Sequence, residues 1–263
     1  MPLSGRTRLY FQLAHPIEHV RVNRLLNPLF ESRGIDAMVV PLHVRPEDFD
    51  TTLPRLARLG NVHGFLATIP HKEALLRHCV AATPEARLSG AANAARIEPD
   101  GSLAAAAFDG PGLLAAAAGA GIGISGRRVL LLGAGGAARC IAVSILLAGA
   151  AALTVHNRNA ERARDLAGDL ARALPDRPRA VAGNSDPAGY DVVVNATALG
   201  LHPGDALPVD PERLAPGCAV IDIVIADGGT ALERAARARG HPTVGGLPML
   251  ERQFDSVIEF FGV

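Results

Sequence analysis

Val129-Leu130-Leu131-Leu132-Gly133-Ala134-Gly135-Gly136-Ala137-Ala138 decides the fold. The four leading apolar residues read as a strand of a parallel sheet, where both faces are covered and apolar runs are continuous. Residues 133, 135 and 138 fit G-x-G-x-x-[G/A], and a helix-like stretch over 139–147 follows. In the order strand, tight turn, helix, this spacing lets backbone N–H groups and a positively polarised helix end receive a pyrophosphate. Gly133, Ala134, Gly135, Gly136 and Ala137 are therefore the expected cofactor turn.

Downstream, a second apolar run over 153–156 ends in Asn157-Arg158, with Arg162 one helical turn further on. An acidic residue at that strand end would take a ribose 2′-hydroxyl, whereas arginine accommodates a 2′-phosphate. Two guanidinium groups suit charge-assisted bonds to phosphate. The expected cofactor is NADP, held by Asn157, Arg158 and Arg162. A charged helical stretch to residue 174 and strands near Ala180, at 191–194 and at 219–224 complete the alternation of a Rossmann-type, doubly wound parallel sheet.

Upstream the same α/β alternation is looser. Strands are expected at 9–13, 37–42 and 62–68 and helices at 20–33 and 47–59, with a hairpin of 93–97 and 103–107 turning at Pro99-Asp100-Gly101. The division expected is an N-terminal α/β substrate domain over 1–108, a Rossmann domain over 109–238, and C-terminal helices over 239–263 packing back on the first. A chain of 263 residues is long enough for two such cores.

Composition excludes several classes. The 26 basic and 26 acidic side chains cancel, so nothing draws the chain to a nucleic-acid backbone or an anionic membrane. Cys79, Cys140 and Cys218 include no CxxC pair, which argues against a disulfide framework or a zinc knuckle, and no histidine motif suggests a metal. The Ala/Gly-rich runs near 113–124 and 140–153 are too short to span a bilayer, and no signal peptide follows Met1. A cytoplasmic monomer or homodimer is expected.

Of the 26 basic residues, Lys72 alone is lysine. Where arginine serves every other cationic position, a retained lysine points to a compact amine able to release its proton. Lys72 ends Thr68-Ile69-Pro70-His71-Lys72, which runs off an apolar strand into a helix start, where the helix dipole favours the neutral amine needed for acid/base work. Asp109-Gly110, where the hairpin yields to the next helix, offers a carboxylate to orient that amine, or a helix N-cap. His71 and His78 are expected on the helix surface.

At these positions the chain resembles the shikimate dehydrogenase family over nearly its whole length. The carrying pieces are Thr68 to Lys72, Gly90-Ala91-Ala92-Asn93, Asp109-Gly110, Gly133 to Ala138, Asn157-Arg158 with Arg162, Asn195-Ala196-Thr197-Ala198-Leu199-Gly200, and Gly246-Leu247-Pro248-Met249-Leu250 with Gln253. The resemblance implies NADP-dependent hydride transfer at a ring hydroxyl carbon, with Lys72 and Asp109 as catalytic pair. It further implies Thr68, Asn93 and Gln253 as hydroxyl-side substrate contacts, and Thr197, Gly246 and Met249 beside the cofactor.

The departures gather at one end of the implied pocket. Val20 and Val22 stand where the family has serines, Ile225 where it has tyrosine, Leu66 where it has asparagine, and Ala107-Phe108 before the aspartate where it has Asn-Thr. In the family the serines and the tyrosine address the substrate carboxylate. An apolar wall cannot hydrogen-bond a carboxylate, and a desolvated, unpaired charge costs several kcal/mol. His19, Arg21 and Arg24 are the candidate replacement cations. The expected substrate is shikimate/3-dehydroshikimate or a related cyclic hydroxy compound; quinate, an aminoshikimate, a non-carboxylated polyol, and a non-catalytic NADP sensor are the alternatives.

Overall fold

The computed structural model describes residues 4–263, which form two units: residues 4–108 with 253–263, and residues 109–252. Unit 1 runs β1 (Arg8–Ala14), α1 (Val22–Ser32), β2 (Ala37–His43), α2 (Phe49–Leu56), β3 (Val62–Ala67), α3 (Lys72–Arg77), β4 (Ala81–Ala82), α4 (Pro84–Ser89), β5 (Ala94–Ile97) and β6 (Leu103–Ala106). Its six-stranded sheet has the order β2-β1-β3-β5-β6-β4. The strands β1, β2 and β3 are parallel, and β5 runs against both β3 and β6 as the expected hairpin. Consequently the ends of β1, β2, β3 and β6 and the start of β5 share one edge. Tyr10, Leu13, Leu26, Phe30, Phe49, Leu53 and Phe65 are all fully buried beneath it.

Unit 2 runs α5 (Asp109–Gly119), β7 (Arg128–Leu132), α6 (Gly136–Leu147), β8 (Ala152–His156), α7 (Ala160–Ala173), β9 (Ala180–Ala182), β10 (Val192–Asn195), β11 (Ala219–Asp222), α8 (Ala231–Ala238), β12 (Thr243–Val244) and α9 (Gly246–Glu251). All its strands are parallel, in the order β12-β11-β10-β7-β8-β9. Val129 to Leu132 and Val192 to Val194 are buried throughout, as a sheet covered on both faces requires. No helix among the described residues is long and apolar enough to cross a membrane.

Three expectations need correction. The second crossing between units falls after Arg252, not near Arg239, because β12 pairs with β11 and α9 packs on α5, which keeps both in unit 2. The C-terminal helices expected over 239–263 to pack on the first unit are α9, which stays in unit 2, and α10 (Phe254–Phe261), parted from it at Arg252-Gln253. The nucleotide-side helix begins at Gly136 rather than 139, since Gly135 is already its extended N-cap.

Against α6, α5 packs through Gly110: a Cβ there would collide with Ser144 Oγ and come within 2.5 Å of the Cys140 carbonyl. Gly110→Ala is expected to cost about 1–3 kcal/mol by overpacking, read as a lower urea midpoint at unchanged m-value; a wild-type midpoint would mean that the two helices can separate freely.

Candidate active site

Unit 1 collects its predicted polar residues at the shared sheet edge. β3 delivers Thr68 just past its last residue, where the Thr68 N–H donates to the Leu13 carbonyl at 3.1 Å and its carbonyl accepts from His71 N–H at 2.8 Å. That turn places Lys72 as the first residue of α3 with only 8% of its surface exposed. His71 is not on the helix surface as expected. It is buried, stacked on Phe49 with ring centroids 4.5 Å apart, and its Nε2 lies 2.7 Å from the Val44 carbonyl. Burial pushes the His71 imidazole below the usual histidine range, outweighing that carbonyl, so the neutral ring donates Nε2–H and pins the residue before Lys72. His78 is partly buried instead, 2.7 Å from Asp50.

Asn93 immediately precedes β5 at the same edge. Phe108 N–H donates to Asn93 Oδ1 at 2.9 Å, which fixes the amide so that Nδ2 donates to Gln253 Oε1, also at 2.9 Å. Both side chains are buried. The donors therefore run from Phe108 through Asn93 to Gln253, which fixes the orientation of both amides. At the same edge Val20 is buried and Val22 half-buried, and Arg21 turns back on its own loop, Nη1 donating to the Glu18 and Val20 carbonyls at 3.0 and 3.4 Å. Arg24 is exposed.

In unit 2 the predicted cofactor turn has the geometry its sequence implies. Gly133 has φ +111°, and a Cβ there would lie 2.6 Å from the Ala196 carbonyl, so only glycine fits. At Gly135 a Cβ would meet nothing within 4 Å, and α6 has no side chain on its first N–H groups. Open space over an uncapped helix start fits the pyrophosphate of NADP. Asn157 and Arg158 follow β8. Asn157 Nδ2 donates to the Asn159 carbonyl at 2.9 Å, and Asn159 caps α7 by accepting from Glu161 and Arg162 N–H groups at 2.9 and 3.4 Å. Arg158 and Arg162 are both exposed around that cap.

Thr197 is half-buried, but its hydroxyl is tied within its own loop, donating to Asn195 Oδ1 at 2.7 Å and accepting from Leu199 N–H at 3.1 Å. Gly246 opens α9 directly under the Ile223 carbonyl, Met249 is buried in that helix, and Ile225 is half-buried beyond β11. Sequence reasoning missed Asp222, wholly buried at the end of β11 and bonded to Asn195, Val224 and Thr230. A carboxylate closing the apolar run 219–221 was the signal. Among the described residues, no three His, Cys, Asp or Glu side chains gather as metal ligands.

A parallel-sheet unit with this turn, joined in one chain to a unit holding a buried lysine and an amide chain, defines a nucleotide-dependent oxidoreductase class. Residues 13–95 match the shikimate dehydrogenase substrate binding domain and residues 115–199 match shikimate / quinate 5-dehydrogenase. Shikimate dehydrogenase (NADP(+)) of Rubrobacter xylanophilus is 41% identical over 253 residues, 94% of this chain and 88% of the relative. The Acidiphilium cryptum enzyme of the same name is 41% identical over 96% of this chain and 90% of its own. The shikimate 5-dehydrogenase of Thermus thermophilus, in complex with NADP(H) and shikimate, superposes with TM-score 0.85 at 30% identity, covering 97% of this chain and 94% of that one. Ligand-free 5-ketofructose reductase of a Gluconobacter species gives TM-score 0.84 at 31% identity, covering 98% and 94%. The chain belongs to the shikimate dehydrogenase family.

Proposed function

We propose that the protein is an NADP-dependent dehydrogenase that interconverts a ring hydroxyl and a ketone on shikimate/3-dehydroshikimate or a closely related cyclic compound. The observation that carries this reading is Lys72, the one lysine of the chain, buried at a helix start on the sheet edge that also bears Thr68, Asn93 and Gln253. Bound NADP supplies the hydride acceptor or donor. Lys72 takes the hydroxyl proton as hydride leaves the same carbon, and returns it to the oxygen in reduction. Asp109, 5% exposed as the first residue of α5, is assigned to orient that amine. Thr68, Asn93 and Gln253 hold ring oxygens. Arg158 and Arg162 hold the 2′-phosphate. Burial pushes the Cys79 and Cys218 thiols up to about 12 and about 11, which suits an enzyme that uses no thiol chemistry. NADP reduction on adding shikimate tests the reading; no turnover with any hydroxy compound, despite NADP binding, would replace it with the sensor.

A second substrate, one lacking the carboxylate, is favoured by Val20, Val22 and Ile225 and by the Arg21 guanidinium being taken up by its own loop. The similarity to a 5-ketofructose reductase supports it. Side-by-side kinetics decide: a neutral cyclic or keto-sugar substrate is expected to show a kcat/KM roughly tenfold or more above that of shikimate, the ratio set by leaving one charge without partners. Saturation by micromolar shikimate would exclude this second reading.

A further inference from the structure

Three loops of unit 2 meet at the C-terminal edge of its sheet, the edge at which ligands bind in open α/β sheets. They are the turn 133–135, the loop 195–200 after β10, and the loop 223–230 after β11. A single carboxylate joins the last two. Asp222 Oδ1 accepts from Asn195 Nδ2 at 2.9 Å and from Val224 N–H at 3.1 Å, while Oδ2 accepts from the Thr230 hydroxyl at 2.7 Å. Asn195 carries the linkage onward, its Nδ2 also donating to the Leu199 carbonyl at 3.0 Å and its Oδ1 accepting from Thr197 N–H at 3.1 Å. The next residue, Ala196, presses its carbonyl against Gly133, and its own N–H donates to the Leu132 carbonyl at 2.8 Å. Asp222 and Asn195 are wholly buried, and Thr230 nearly so.

We propose that ionised Asp222 is a positioning residue for cofactor binding: by accepting from all three donors at once it sets the loop bearing Ala196 and Thr197 against the Gly133 turn. The inference rests on the NADP reading above. An acid form of Asp222 carries a proton of its own on one oxygen and cannot accept at full strength from three donors, so its protonation slackens the junction. Burial pushes the carboxyl up to about 6; the bonds from Thr230, Val224 and Asn195 pull it back only in part, and the charge of Glu233 on α8 pushes in the same direction as burial. Glu233 is the charged group facing it, itself buried with Oε2 on Thr230 N–H at 2.8 Å, whereas β10 and the loop contribute neutral donors. Affinity for NADP should therefore fall as pH drops through about 6.

For folding the sign is opposite. A folded value raised above the unfolded one means that this group's stability contribution is full at low pH and is lost as pH rises towards 6. A purely structural Asp222 would thus not weaken binding in acid.

The experiment is the Kd of the full chain for NADP between pH 5 and pH 8, by titration calorimetry, for wild type, Asp222→Asn, Thr230→Val and Thr230→Ser. The 2′-phosphate titrates in the same range, with a pKa of about 6, and gives every variant the same slope, so differences between variants are read. Asp222→Asn is expected to bind roughly tenfold more weakly at pH 8 and to lose the additional acid weakening seen in wild type. Thr230→Val removes a bond to the ionised form and should move the acid limb up by roughly one pH unit, while Thr230→Ser restores it. Identical pH dependence in wild type and Asp222→Asn overturns the inference, as does an unmoved limb in Thr230→Val should Asp222→Asn fail to fold. A wild-type chain that binds no NADP would overturn the cofactor reading and this inference with it.

Discussion

Lys72→Ala is expected to lower kcat by roughly 10²- to 10⁴-fold, the range typical of a lost general acid/base, with the Kd for NADP unchanged. The residue lies in unit 1, whereas the Gly133 turn, the α7 cap and the loops around Asp222 are all in unit 2. Removing its amine should thus touch the proton step alone. Lys72→Arg sharpens the test. Guanidinium stays charged at all working pH values and cannot release a proton, so the arginine variant should be as slow as the alanine one. The chain uses arginine at all its other basic positions, and this substitution asks directly why it does not do so here. Stopped-flow and steady-state kinetics with saturating NADP would read both variants; wild-type turnover in either removes Lys72 as the proton carrier.

The second large effect is expected at the α7 cap. With Arg158 and Arg162 both changed to alanine, KM for NADP should rise roughly 10²- to 10⁴-fold, from about 10- to 100-fold for each charge-assisted phosphate contact. KM for NAD, which lacks the 2′-phosphate, should stay where it was. The two side chains are exposed and Asn159 caps the helix independently of them, so the fold should not suffer. Equal losses for both cofactors would show that the arginines support the loop rather than select the phosphate.

Where physical signals were redundant, the sequence predicted the fold well. The stretch 129–138 combined an apolar run, glycines at required positions and a following helix, and each of these independently implied β7, the turn and α6. The hairpin of β5 and β6 was marked by its Asp-Gly turn between two apolar stretches. Signals failed where tertiary contact decides alone. β12 is two residues long, too short for any period, and it holds the chain in unit 2 past Arg239. Neither glycine nor proline marks the break at Arg252-Gln253; the demand there is the buried bond between Gln253 and Asn93, a residue far earlier in sequence. α4 did carry a signal, Thr83 capping ahead of Pro84.

In the candidate site, residue types proved easier to read than their partners. Lys72 stood out by composition and Asn93 by its motif, but the Phe108 N–H that fixes the Asn93 amide is a backbone group and leaves no trace in side-chain identity. His71 shows the converse. A histidine beside a helix start looks solvated until Phe49 and Val44, brought in by other elements, enclose it.

Unit 1 is discontinuous, and its last piece is not decorative. In α10, Phe261 stacks on Tyr10 of β1 at 4.2 Å and packs over Gly64 of β3, and Arg96 of β5 donates to the Phe260 carbonyl at 2.7 Å. During synthesis, then, the first hundred residues leave the ribosome without the aromatic wedge that seals their sheet, and must wait while all of residues 109–252 are translated. Domains generally mature as units in order of emergence. Here the order inverts: the nucleotide-side unit is continuous in sequence and needs nothing past Arg252, whereas the amino-terminal one is completed only by the last residues made, so a released chain truncated after Arg252 should expose unit 1 to protease while unit 2 resists.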